Sequence, residues 1–278
     1  MERWLAKNQA YDKLYQESSG SFILFCGVDV RFGPSTIRSM VNVLRSRNKS
    51  MLSVLPLRIA GAAQATLLQP MRYWWELALP RRLFNRPAVL STCWMIERKA
   101  LKHLGGFGAV SHAVIPEGFF ARELVKTDGY SFVRSTDELE VRTVKSLNDQ
   151  RETALRTRYP EVRRRPEVVL LVTLAELFVF FAPFLSLVVS LVSGFVPGII
   201  LSGISTVVVL VTHLVILQVT NPANLAVSIL TFPFAAITEL IIGYVSMFKY
   251  EFGTVEWKGR NVCIPVMHVV PRLPTIEA

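Results

Sequence analysis

An α/β domain followed by α-helical membrane segments is the fold class this sequence predicts, and three observations predict it. From Val168 to Phe248 there is not one lysine or arginine, while Lys145, Arg151, Arg156, Arg158, Arg163, Arg164 and Arg165 crowd the residues just before. The apolar stretch is broken at Gly194-Phe195-Val196-Pro197-Gly198 and at Thr220-Asn221-Pro222-Ala223-Asn224. The segments between are each close to the ~20 residues that a spanning helix needs. Ahead of them, short strand-like runs alternate with helical ones, the pattern of an α/β sandwich.

In chain order, Asn8 to Ser18 reads as a polar helix ending at Ser19-Gly20. Ser21 to Cys26 is a short apolar run of the kind a buried strand makes. It ends at Gly27-Val28-Asp29-Val30, after which Gly33-Pro34-Ser35 supplies a turn and a cap. Thr36 to Arg45 then places Ile37, Met40, Val41 and Leu44 on one helical face. Ser50 to Leu57 is a second strand candidate, Ala60 to Ala78 a helix carrying Trp74-Trp75, and Val89 to Ile96 a further strand. The organisation expected is a domain over 1–150, a basic juxtamembrane linker over 151–166, membrane helices over 167–193, 197–219 and 224–248, and a tail over 249–278.

Composition limits the function classes. The formal charge is +10, and much of the basic excess is juxtamembrane, where topology and anionic lipid explain it; no aromatic-basic motif marks a nucleic-acid binder. Cys26, Cys93 and Cys263 are far apart and outside metal-ligand spacing, so they read as reduced, mostly buried thiols. Positive flanks stay on the cytoplasmic side, which puts the amino-terminal half in the cytoplasm of an integral protein of the cell membrane. Three full crossings would then carry Lys249, Lys258 and Arg260 to the far side against the same rule. Phe232-Pro233-Phe234 interrupts the third segment, so a re-entrant or interfacial helix, returning the tail to the cytoplasm, is the expectation. Glu176, His213 and Glu239 fall one per segment; ionisable groups there raise the alternative of a transporter, which three segments without a repeat do not favour.

Asp29 is the best single site candidate, because open α/β sheets place ligands at the carboxyl ends of their strands. A carboxylate there can bind a divalent cation and help a diphosphate leave. Equally, it can do no more than cap the turn before Pro34.

Several segments carry a resemblance. Lys7-Asn8-Gln9-Ala10, Ile23 to Phe25 with Asp29 after it, Arg98-Lys99-Ala100-Leu101 followed by Gly105-Gly106-Phe107, Glu117, and Gly129-Tyr130 occur in the order and spacing of family 2 glycosyltransferases. Trp257-Lys258-Gly259-Arg260 is similar to the segment after the last membrane helix in the branch that includes ceramide glucosyltransferases. The resemblance covers residues 3 to about 160 and implies a partial GT-A fold. It also implies a divalent metal, magnesium or manganese, and Asp29 as the metal and donor-diphosphate ligand. The family's first acid is replaced by Gly27 and its catalytic Asp by Gly118, so Glu117 becomes the candidate base. The Gln-x-x-Arg-Trp motif is represented by Leu155 to Tyr159, in which Arg158 is retained and Tyr159 stands for the aromatic that helps place the acceptor.

The function so implied is an inverting hexosyl transfer from a nucleotide-sugar donor to a lipid or lipid-linked acceptor at the cytoplasmic membrane face. GT-A domains open with units that hold the nucleotide base, and this chain starts shortly before Ile23. The resemblance therefore implies a fragment, a start assigned too late, or a second polypeptide that completes the fold and shields an apolar parallel sheet edge. A processive polysaccharide synthase and a catalytically inactive accessory or scaffold subunit are the neighbouring readings.

Overall fold

The computed structural model describes residues 4–58, 69–78, 87–144, 146–220, 225–257, 260–261 and 263. The start of the expected Ala60–Ala78 helix, Lys145, the Asn221–Asn224 breaker and Lys258-Gly259 lie outside them. Helix α1 (Ala6–Glu17) leads into β1 (Phe22–Cys26), β2 (Val30–Phe32), α2 (Thr36–Ser46), β3 (Met51–Leu55) and β4 (Leu57–Arg58). After α3 (Gln69–Ala78) come β5 (Cys93–Glu97), α4 (Arg98–His103), a 3-10 turn at Gly106–Val110, α5 (Pro116–Lys126), β6 (Tyr130–Arg134) and β7 (Val141–Thr143). Helix α6 (Leu147–Glu161) closes the domain and occupies most of the expected basic linker.

The main sheet has the order β1-β5-β3-β6, with a second sheet in the order β2-β7-β4. Alternation along β5 explains why the first is buried on both faces: Trp94 and Ile96 join one core cluster, Cys93 and Met95 the other. In the first cluster Trp94 stacks on Phe25 with ring centres 4.2 Å apart, and Phe107 meets Phe25 edge-on. In the second, Met40 and Leu44 of α2 seal Leu52 and Val54. Ile37, expected on the same face, is exposed, and Thr36 beside it is the buried residue of that first turn.

At one of its two edges the sheet differs from expectation, while β6 at the other pairs in parallel with β3. β1 lies at one edge, yet β1 and β3 are both antiparallel to β5, which separates them; only β3 and β6 pair in parallel. The edge beside β1 therefore borders an antiparallel pair. Among the cysteines Cys93 is buried, whereas Cys26 is exposed at the end of the edge strand.

Beyond Arg165 the chain becomes apolar helix. Residues Pro166–Ser193 form a continuous 28-residue candidate span. Its α7 (Pro166–Glu176) passes through a π-helical turn at Leu177–Phe181 into α8 (Ala182–Ser193). Pro183 gives the reason, since it has no N–H to donate to the preceding turn and the wider π turn absorbs the lost bond. Gly194, at φ 67°, takes the left-handed cap that ends the span. Helix α9 (Val196–Thr220) is the second candidate span. The third segment is divided at Thr231 into α10 (Leu225–Leu230) and α11 (Phe232–Glu251), and α11 is also long and apolar enough to span. Pro233 in the first turn of α11 places the break. Glu176, His213 and Glu239 are all buried inside the protein instead of facing outward.

Candidate active site

β1 ends at Cys26, and a tight turn follows. The Gly27 N–H donates to the carbonyl of Thr92 (3.0 Å) and the Val30 N–H donates to the carbonyl of Gly27 (3.1 Å), which presents Asp29 at the strand's carboxyl end. Two bonds from β7 and its end fix that residue. The Val144 N–H donates to the Asp29 carbonyl (3.0 Å), and the Thr143 hydroxyl donates to Asp29 Oδ2 (3.2 Å). The other oxygen, Oδ1, lies against Gly27: a Cβ on Gly27 would stand 2.5 Å from it. A side chain cannot replace this glycine without moving the Asp29 carboxylate. Beside it, burial and then the Asp29 charge push the Cys26 thiol up from its ordinary value.

Glu117 is built from a different part of the chain. The Gly105-Gly106 turn has both residues at positive φ (84° and 61°), which glycine adopts without strain. The chain then crosses beneath α1, where the wholly buried Asn8 amide donates to the carbonyls of Val110 (2.7 Å), Ser111 (3.1 Å) and Ala113 (2.8 Å). This clamp leads into α5, whose first turn carries Glu117 and whose N-terminal dipole favours a negative charge. Glu117 is fully buried. Its Oε1 accepts a short hydrogen bond from the Ser91 hydroxyl, and its Oε2 lies 3.6 Å from Lys7 Nζ. Oε2 has no hydrogen bond. The neighbouring Tyr11 hydroxyl is raised by burial, then by Glu117 and Cys26.

One turn therefore holds both acids. Thr92 fixes Gly27 and so the Asp29 turn, while Ser91, its neighbour in the chain, holds Glu117. Neither Ser91 nor Thr143 stands out in the sequence, since a lone hydroxyl before or within a strand carries no pattern. Gly118 contrasts with Gly27: a Cβ there would meet Ile115 and Val89 at ordinary contact distances of 3.4 and 3.8 Å. Room exists for a Cβ at Gly118 and not at Gly27.

Arg158 and Tyr159 are placed in a helix–helix seam between α6 and α11. The Arg158 guanidinium forms an ion pair with Glu239 (Nε to Oε1 2.5 Å) and a second with Glu161 (3.3 Å). Burial alone would lower its pKa; Glu239 and then Glu161 outweigh that and raise it. Tyr159 is only 1% exposed, its hydroxyl meets Glu251 (2.5 Å) and its ring faces Tyr250 at 6.1 Å. The acceptor-placing role expected of Tyr159 thus finds its ring covered. Among the described residues no group of three or more His, Cys, Asp or Glu is placed to hold a metal. The Trp257-Lys258-Gly259-Arg260 motif falls on a short hairpin pairing Glu256–Trp257 with Arg260–Asn261, and its central residues are outside the described ones.

A mixed α/β domain with an acid at the end of its edge strand is thus joined to helices long and apolar enough to cross a bilayer. The sequence pattern of glycosyl transferase family 21 matches residues 6–266, and the chain belongs to that family. It is a membrane glycosyltransferase of the ceramide glucosyltransferase-like kind. No curated protein and no solved structure gives a significant match.

Proposed function

We propose that the protein transfers a hexose from a nucleotide-sugar donor to a lipid or lipid-linked acceptor at the cytoplasmic face of the cell membrane, with inversion, on a GT-A fold. The observation that carries this reading is the joint hold of the Ser91-Thr92 turn on the Asp29 and Glu117 segments. In the reaction the acceptor oxygen bonds to the anomeric carbon, the bond from that carbon to the diphosphate breaks, and the acceptor proton passes to Glu117. The Glu117 oxygen without a hydrogen bond, Oε2, is the atom suited to receive it, and Lys7 beside it steadies the carboxylate charge.

Asp29 is the residue that would hold a magnesium or manganese ion. A single protein carboxylate fits such an ion when substrate phosphates complete the coordination. The bound ion would neutralise the departing diphosphate. Arg158, engaged by two carboxylates, would contribute to that charge only after releasing one of them.

The test is transfer of labelled sugar from a panel of nucleotide sugars to membrane lipid extract, comparing the native chain with Asp29→Asn and Glu117→Gln. Both substitutions should abolish transfer while leaving the thermal midpoint within a few degrees. Full activity in Asp29→Asn removes the assignment. A second reading, a non-catalytic accessory subunit, draws on the glycines at positions 27 and 118 and on the covered Tyr159. Manganese-dependent binding of nucleotide sugar, expected here, has no place in that reading. A second polypeptide beside β1 would be sought in the same preparation by cross-linking.

A further inference from the structure

The third apolar segment has the length of a membrane span, yet its contacts describe another path. At its end, Tyr250 of α11 touches the residues that precede the first span: its hydroxyl donates to the Arg156 carbonyl (2.7 Å) and its ring lies 4.6 Å from the Arg164 guanidinium. Val169, in the first turn of α7, shares a buried cluster with Tyr159, Tyr250 and Val255. At its start, the Phe232 ring meets Phe180 (5.7 Å), Phe184 (6.3 Å) and His213 (4.5 Å). Relative to the first span, α11 therefore runs backwards, from beside Phe180 and Phe184 to beside Val169. Helix α9 also runs back toward the domain: its Ile216 joins Leu55 and Leu90 of the sheet region in one cluster.

Two consecutive helices that run in the same direction need a return between them. The Phe232 ring meets His213, seven residues before the end of α9, so α11 starts only about 10 Å in from that end at the helical rise per residue. The hydrocarbon core is about 30 Å thick. The return is partial, so α10 goes in part of the way and α11 comes out on the side it left.

Two further observations agree. The outward face of α11 is an unbroken apolar stripe of Phe234, Ile237, Ile241, Val245 and Phe248, while its inward face carries Glu239, Ser246 and Tyr250 against α6. Its mean hydropathy of 1.3 is well below the 2.5 and 2.4 of the two other candidates, as suits a helix pressed against a polar partner with lipid on one side only. The cations Arg163, Arg164, Arg165 and Lys249 then gather on one face, in line with the charge rule for membrane topology.

We infer that α10 and α11 form a re-entrant hairpin: the chain crosses the membrane twice, and the residues after α11 lie on the same face as the α/β domain. This inference is independent of catalytic activity. Cys263, whose Sγ lies 3.9 Å from the Lys249 carbonyl, is a native reporter at the exit, and Phe195→Cys places a second reporter between the first two spans. Sealed vesicles would be treated with a membrane-impermeant maleimide and each cysteine read by peptide mass, with detergent-opened vesicles setting full labelling. Cys263 and the cysteine at 195 should label from opposite faces. Labelling of both from one face means three crossings or none and overturns the hairpin, whatever the enzyme assay shows.

Discussion

Arg158 on α6 and Glu239 on α11 meet at 2.5 Å with both side chains largely buried, and this contact ties the last helix of the α/β domain to the third apolar segment. Around it the Ser246 hydroxyl donates to the Leu155 carbonyl (2.6 Å) and accepts from the Tyr159 N–H (3.1 Å). A polar seam of this kind fixes the register of two helices, because a slip by one turn would leave several of these groups buried without partners. The last helix of the domain is thereby held in register with the third apolar segment.

Removing one partner of a buried pair strands the other's charge. Glu239→Gln leaves Arg158 with Glu161 alone and should cost about 3 kcal/mol. The exchange Arg158→Glu with Glu239→Arg should recover more than half of it. Thermal unfolding in detergent measures both, and an unchanged midpoint in Glu239→Gln would mean that the seam does not hold the helices together.

Asn8 makes a structural prediction within a motif that reads as functional. Its amide NH2, with two hydrogens shared among three carbonyls of the loop ahead of α5, holds that loop, so Asn8→Ala should destabilise the domain by about 2 kcal/mol, near 1 kcal/mol per N–H. Limited proteolysis should show the first new cleavages between Val110 and Ala113. Loss of transfer activity without loss of stability would instead make Asn8 a substrate contact.

At the site, Gly27→Ala tests whether the placement of Asp29 matters. The new methyl would displace Asp29 Oδ1, and a shift of about 1 Å in a reacting constellation can lower kcat/KM about hundredfold. Stability should change little, since the turn is at the end of an edge strand. Gly118→Ala is the control: its Cβ meets only ordinary contacts, and activity should stay within a few-fold of native.

Burial pushes the Cys93 thiol up from 9.0 to about 12, with Cys26 adding to the shift. The folded chain therefore keeps a proton that the unfolded chain releases. Stability from this group is complete below pH 9 and declines as pH rises from about 9 to about 12. Denaturant titrations across that window should show the decline, with a smaller slope in Cys93→Ala. Equal slopes in the two proteins would assign the alkaline loss to Tyr11 and Tyr159, both also raised.

Much of the architecture was legible in the chain because it rests on local pattern. The apolar run without cations, the breakers at Gly194 and Thr220, and the alternation of strand and helix signals are properties of neighbouring residues, and they place the class, the spans and Asp29 at its strand end. Ile37 shows the limit: apolar periodicity puts it on the buried face, whereas the fold buries Thr36 beside it instead. Strand order was equally out of reach, because β5 comes between β1 and β3 by a pairing of residues distant in sequence. The partners of the candidate site, Ser91 for Glu117 and Thr143 for Asp29, are 26 and 114 residues from the acids they hold.

The membrane segments divide in the same way. Hydropathy by itself determined that three stretches are apolar enough for a bilayer, since that is a sum over consecutive side chains. Only tertiary structure set Arg158 against Glu239 and Tyr250 against Arg164, because the direction of a helix relative to its neighbours is decided by which distant side chains satisfy one another's charge, hydrogen bonds and area. The sequence determined what each segment could bury; the fold decided against what.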